Sequence, residues 1–176
     1  MKTLNCISSA VLLSGVSLAS AAELIITMHA VDANGVGAAI GTVIAADSKN
    51  GLVLTPALSG LTPGLHGFHV HQNASCAPGE KDGKVAAAIA AGGHFDPAKT
   101  GKHEGPMGSG HMGDLPALEV GSDGKASKAV TAPHLKVSDL HGRALMIHAG
   151  SDNYSDQPKP LGGGGDRVAC GVVDGE

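Results

Sequence analysis

The sequence predicts an all-β fold, a sandwich or barrel, on three observations. Short stretches of β-branched or alternating apolar residues recur along the chain. Turn-forming residue pairs separate them, and the one stretch with helix propensity, 85–91, is long enough for a short helical turn at most. Several short strands punctuated in this way mark antiparallel sheets that pack or close on themselves.

The elements follow in order. The first strand is expected over 24–31, where Ile25, Ile26, Thr27 and Val31 favour an extended backbone. Asn34-Gly35 turns the chain into 36–46, and Asn50-Gly51 turns it into 52–58. Thr62-Pro63-Gly64 leads to 67–71, GFHVH. After a long gap come 115–120 and 126–132, separated by Asp123-Gly124, and then 143–149 and 167–173. Two segments break this rhythm, 72–114 and 150–166. Loops longer than about 12–15 residues are uncommon in compact domains unless they carry function or are disordered.

The chain opens with Lys2, an apolar run over 7–18, and Ser20-Ala21-Ala22 before Glu23. That is a secretory signal pattern with cleavage expected after Ala22. The run is shorter than the about 20 residues that span a bilayer. A soluble, exported domain over 23–176 without stable membrane association is therefore expected. Cys6 lies before the apolar run, which argues against a lipid-anchored cysteine. The remaining chain fits one domain, since about 150 residues bury roughly 70% of their unfolded surface. With no Trp, one Tyr and two Phe, its core must come from Val, Ile, Leu and Ala. Loss of Lys2 takes the formal charge from −4 to −5, and the absence of a basic run argues against nucleic-acid partners. Cys76 and Cys170 remain as an even pair, expected to form a disulfide in an oxidising compartment. Two buried free thiols are the alternative in a reducing one.

The chemistry concentrates in the histidines. On a strand His69 and His71 point to one face with Cα atoms roughly 6.7 Å apart, so both imidazoles can reach one ion, while Phe68 and Val70 face the core. His94, His103 and His111 follow at spacings of nine and eight, with Asp114 three residues later. A Gly- and Pro-rich loop can fold these together, and three imidazoles with one carboxylate suit zinc. His148 ends the stretch RALMIHA, in phase with Ala144 and Met146. It joins the group only if its strand adjoins His69 and His71. His29, His66, His134 and His141 are expected to be surface or ordinary hydrogen-bonding residues.

Taken in order, GFHVH, GGHFDP, GKHEGP, GHMGDL, the His148 strand and LGGGGDRVACGV resemble the successive motifs of the bacterial exported copper,zinc superoxide dismutases. The resemblance spans nearly the whole exported chain and is strongest over 65–173. It implies an eight-stranded Greek-key β-barrel of the immunoglobulin-like sandwich type with two long functional loops. It implies copper held by His69, His71, His94 and His148, and zinc held by His94, His103, His111 and Asp114, with His94 shared. It also implies a Cys76–Cys170 disulfide and an active-site Arg167 that anchors the superoxide anion beside copper. Asp152 has the spacing of a carboxylate that hydrogen-bonds a copper and a zinc ligand at once, with Asp156 as its rival. The implied reaction alternately oxidises superoxide to O₂ and reduces it to H₂O₂, with His94 handling a proton.

Lys81 and Lys84 in the first long loop are candidates to draw an anion towards a negatively charged protein. Asp166, beside Arg167, could weaken that attraction, although strand neighbours ordinarily face opposite ways. A copper-storage or delivery protein on the same scaffold should lack the zinc set or the arginine, and this sequence holds both. The sequence leaves monomer and homodimer open.

Overall fold

The computed structural model describes residues 23–175; the expected export signal at 1–22 lies outside them. Glu23–Asp32 (β1), Gly35–Ser48 (β2) and Gly51–Leu58 (β3) form an antiparallel meander. Its two hairpins turn at Ala33-Asn34 and Lys49-Asn50, one residue earlier than the sequence suggests, with the positive φ taken by Gly35 and Gly51. Gly64–His66 (β4) and Phe68–His71 (β5) are one strand broken at Gly67. Gly79–Lys81 (β6) and Lys84–Ala86 (β7) form a small hairpin inside the first long loop, followed by a 3₁₀ turn at Ile89–Ala91. Leu118–Val120 (β8), Val130–Ala132 (β9), Arg143–His148 (β10) and Arg167–Val173 (β11) complete the set.

The order β5-β10-β11-β1-β2-β3-β9 makes a curled seven-stranded sheet, and β4 carries it on to β8. Counting β4 and β5 as one bent strand and setting the β6–β7 hairpin aside gives the eight expected strands. The neighbours β5–β10 and β11–β1 are not consecutive in sequence, which is the Greek-key crossing of an antiparallel barrel. Two expected strands are shorter than read. The first pairs only from Leu118, and the other forms a ladder only over Val130–Ala132, with Ala126 bridging back to Leu58.

The core is aliphatic, as composition requires: Ile26, Val43, Leu52, Leu54, Leu145 and Ile147 pack with Phe68 and Val70. The strands that position the histidines are buried on both faces. Phe68 and Val70 of β5, with Leu145 and Ile147 of β10, point into the barrel. Ala144 and Met146 point outward, beneath the first long loop, and join Val31, Cys76, Ala88, Ala91 and Cys170 in a second buried cluster. The Cys76–Cys170 disulfide pins that loop to β11 across a sequence separation of 94. The outer face of β5 and β10 is thus a dry floor where His69, His71 and His148 stand.

Candidate metal centre

Strand register brings the first three histidines together. β5 and β10 are antiparallel with His69 opposite Met146 and His71 opposite Ala144. Side chains alternate, so His69, His71 and His148 emerge on the same outer face. His148 N donates to the Gly67 carbonyl at 2.8 Å, which fixes the strand end beside the break in the bent strand. His94 arrives from the long loop and bridges to His71. One donor atom from each of His69, His71, His94 and His148 lies within 4.8 Å of the others.

The second group is built by loops. Donor atoms of His69, His94, His103 and Asp114 also lie within 4.8 Å of one another. His111 flanks them with Nδ1 3.4 Å from Asp114 Oδ1, its ring centroid 5.3 Å from that of His94 and 6.0 Å from that of His103. Asp114 accepts from His94 Nδ1 at 2.9 Å and stands 2.9 Å from His103 Nδ1. The residues expected as ligands are gathered at one place, but both His69 and His94 belong to both groups, and His111 stands beside the second group rather than within it.

The ring nitrogens sort themselves by partner. One nitrogen of each of four rings is anchored: His69 Nε2 to Asp152 at 2.7 Å, His71 Nδ1 to the Gly92 carbonyl at 2.9 Å, His103 Nε2 to Asp152 at 2.8 Å, and His148 Nδ1 to the Gly165 carbonyl at 3.2 Å. The other nitrogens of His69, His71 and His148 are buried and make no hydrogen bond, while His103 Nδ1 and His111 Nδ1 face Asp114 at 2.9 Å and 3.4 Å. Three such orphans at one place are costly unless something electrophilic satisfies them. Anchoring one nitrogen and freeing the other is how a protein aims an imidazole at a metal. The donors fit the two implied ions: four imidazoles suit Cu(II), and three imidazoles with a carboxylate suit zinc.

Electrostatics agree with this sorting. Burial, reinforced by neighbouring histidines and Arg167, holds His71 and His148 well below the ordinary imidazole range. Burial and the nearby His69 lower His94 to about 4. These rings are neutral at pH 7 and ready to donate lone pairs. Burial also opposes charge on His103, but hydrogen bonds to Asp114 and Asp152 outweigh it and raise its pKa to about 9. Despite burial, those same contacts hold both carboxylates well below their usual range.

The two loop carboxylates take different places. Asp152 spans the groups, Oδ2 on His69 and Oδ1 on His103, and is fixed by Tyr154 N at 2.7 Å. Asp156 instead accepts from the backbone N of His103 and Leu161. Gly162 matters here: at φ 70° it passes so close to Asp152 and His103 that a Cβ would overlap both. Tyr154, which sequence reasoning passed over, packs its ring on Gly105 and accepts from Ala117 N through its hydroxyl at 2.9 Å, tying the second loop to the first. Arg143 was also missed. It lies 3.7 Å over the Phe95 ring and donates to the Gln72 carbonyl, bracing the segment that carries His94. His66 is buried rather than superficial, its ring nitrogens on the carbonyls of His148 and Thr62.

A cleft of about 230 Å³ opens onto His71, His94 and His148 and is lined by Lys81, Leu161, Asp166 and Arg167. Arg167 is half-buried, its Nη1 on the Ala88 carbonyl at 2.5 Å and its Nη2 on the Gly92 carbonyl at 2.6 Å. Lys81 lines the cleft and Lys84 does not. Asp166 and Arg167 share the same mouth, contrary to simple strand alternation. Asp166 precedes β11, and the β10–β11 register shifts between Ile147 and His148 at that point.

Residues 39–173 match the family profile described as copper/zinc superoxide dismutase. The chain is 60% identical over 156 residues to superoxide dismutase [Cu-Zn] 2 of Salmonella typhimurium, covering 88% of this chain and 90% of that one. It superposes with a TM-score of 0.85 on the Cu/Zn superoxide dismutase from Brucella abortus, at 53% identity, covering 87% of this chain and all of the other. The solution structure of the monomeric copper, zinc superoxide dismutase from Salmonella enterica matches with a TM-score of 0.78 at 58% identity, over 86% and 99% of the two chains. On its strand order, its paired histidine groups and these matches, the chain belongs to the copper/zinc superoxide dismutase family.

Proposed function

We propose that this protein dismutates superoxide to O₂ and H₂O₂, with copper bound by His69, His71, His94 and His148 and zinc bound by His94, His103, His111 and Asp114. The observation that carries this reading is the pair of adjoining donor groups, with His94 in both, and the buried, unpartnered ring nitrogens of His69, His71 and His148 among them. Copper in the first group supplies the one-electron exchange, oxidising one superoxide and reducing the next.

The chain's own residues do the rest. Arg167 binds the anion at the cleft mouth, its guanidinium held by two loop carbonyls and aimed at the ground beside His71, His94 and His148. Lys81 adds positive potential at the rim. His94 keeps Nδ1 towards Asp114, which leaves Nε2 on the cleft side to hold one proton and pass it to the reduced anion, solvent in the cleft supplying the second that H₂O₂ requires. Asp152 orients His69 and His103 together, so that neither group tilts independently of the other.

Residues 1–22 act as the cleaved export signal, and the domain over 23–176 works in the periplasm. The disulfide supports an oxidising compartment, and no helix among the described residues is long and apolar enough to cross a membrane. The relative from Salmonella enterica is described as monomeric, which favours a monomer here over a homodimer. Metal analysis of protein recovered from the periplasm, paired with a dismutation assay, tests the reading. One copper and one zinc per chain with activity are expected. Activity without copper, or full loading without activity, overturns it.

A further inference from the structure

A second group of metal-capable side chains lies outside the paired histidine groups. The described methionines are Met28, Met107, Met112 and Met146. Met28 is fully buried in the barrel core and Met146 beneath the first long loop, whereas Met107 is 78% exposed and Met112 only partly covered. The two accessible thioethers line one surface pocket of about 420 Å³, and His134 lines it with them. His134 is exposed and makes no hydrogen bond or ion pair among the described residues. His111 also lines the pocket while turning Nδ1 inward to Asp114. No carboxylate lines the pocket, and the one side-chain hydroxyl there, on Ser109, is engaged by Glu104 at 3.0 Å.

Two thioethers and an imidazole without carboxylate oxygen form a soft donor set. Such a set favours monovalent copper over zinc, calcium or magnesium, which seek nitrogen with thiolate, or oxygen. Hydrophobic burial does not account for the position of Met107, since most of its surface stays in water. A flexible thioether on a glycine-rich turn, Gly108 to one side and Pro106 to the other, can swing to meet a cation without disturbing the barrel.

We propose that Met107, Met112 and His134 form a surface site for Cu(I), on the zinc side of the centre and separate from the catalytic cleft. The site needs no electron transfer, and its occupancy is independent of dismutation.

The test uses the copper- and zinc-loaded protein with its copper reduced, and Ag(I) as a redox-inert probe for a soft monovalent cation. One further equivalent of Ag(I) should bind while copper and zinc are retained. The methyl NMR signals of Met107 and Met112 should shift, and those of the buried Met28 and Met146 should stay in place. Met107→Leu combined with His134→Gln should abolish the extra equivalent while dismutation is unchanged. Both residues are exposed, so the fold is not at stake. Uptake matched by copper release, shifts confined to other residues, or an extra equivalent that survives the double substitution would each overturn the proposal. None of these outcomes bears on the dismutase reading, which the activity of the same samples reports separately.

Discussion

Arg167 and His71 are tied through a single oxygen: the Gly92 carbonyl accepts His71 Nδ1–H at 2.9 Å and Arg167 Nη2–H at 2.6 Å. The guanidinium proposed to bind the anion and an imidazole of the first group are thus set by one point on the long loop. Arg167→Ala should lower kcat/KM by roughly tenfold or more, the lower range of electrostatic guidance, while copper and zinc remain bound. Steady-state dismutation with metal analysis checks this. Loss of copper in the variant would show that Arg167 serves the fold rather than the substrate.

Removing His148 has a different consequence. His148→Ala takes away a buried donor of the first group only, so copper binding and turnover should both collapse while zinc stays. Retained activity would remove this residue from the centre.

Asp152 couples the two groups, so its loss should be felt in both. Asp152→Asn is expected to weaken zinc and copper binding by about 10–100-fold, the usual cost of losing a carboxylate that orients metal-bound imidazoles. Asp156→Asn, which touches only backbone N–H groups, should have a smaller effect. Competitive chelator titrations distinguish them, and equal effects would contradict the division of roles.

The pH dependence of the metal-free protein follows from opposite shifts. His103, raised to about 9 from 6.5, binds its proton more tightly when folded. Its contribution to stability is complete below pH 6.5 and fades as pH rises through 9. His94, lowered to about 4, resists protonation when folded, so its contribution is complete above pH 6.5 and is lost as pH falls towards 4. Tm of chelator-treated protein should therefore peak near pH 6.5 and fall on both sides. A steady rise to pH 9 would refute the assignment of charge to His103. Zinc must displace the His103 proton, so its binding near pH 7 should release protons, seen as a buffer-dependent calorimetric enthalpy.

Ionic strength tests the rim. The protein carries net negative charge, so approach of superoxide depends on the local field of Arg167 and Lys81. Turnover should slow as salt rises. Lys81→Gln should slow it more than Lys84→Gln, and Asp166→Asn should quicken it. Salt-insensitive turnover would eliminate guidance by these charges.

Much of the centre was legible because local period and spacing carry it. His69 and His71 share a face by strand alternation alone, and the cysteine pair followed from number and compartment. The hairpin at 79–86 was legible too but went unread: Asp82-Gly83 takes the positive φ of both turn residues, 54° and 74°. The break at Gly67 and the bulge near His148 carried no comparable signal, since they arise where β4 leaves for β8 and where β10 meets β11. For the same reason Asp166 faces the cleft against the expectation from alternation.

By itself the sequence determined the residue types, the periodicity of the strands and the order of the donor motifs, because these are properties of short segments. Only the tertiary structure decided which nitrogen of each imidazole is free, that Asp152 rather than Asp156 spans the two groups, and that Arg167 meets His71 at the Gly92 carbonyl. Those choices depend on the β5–β10 register and on loops closed by the Cys76–Cys170 bond, contacts between residues tens of positions apart, whose geometry exists only once the barrel has formed.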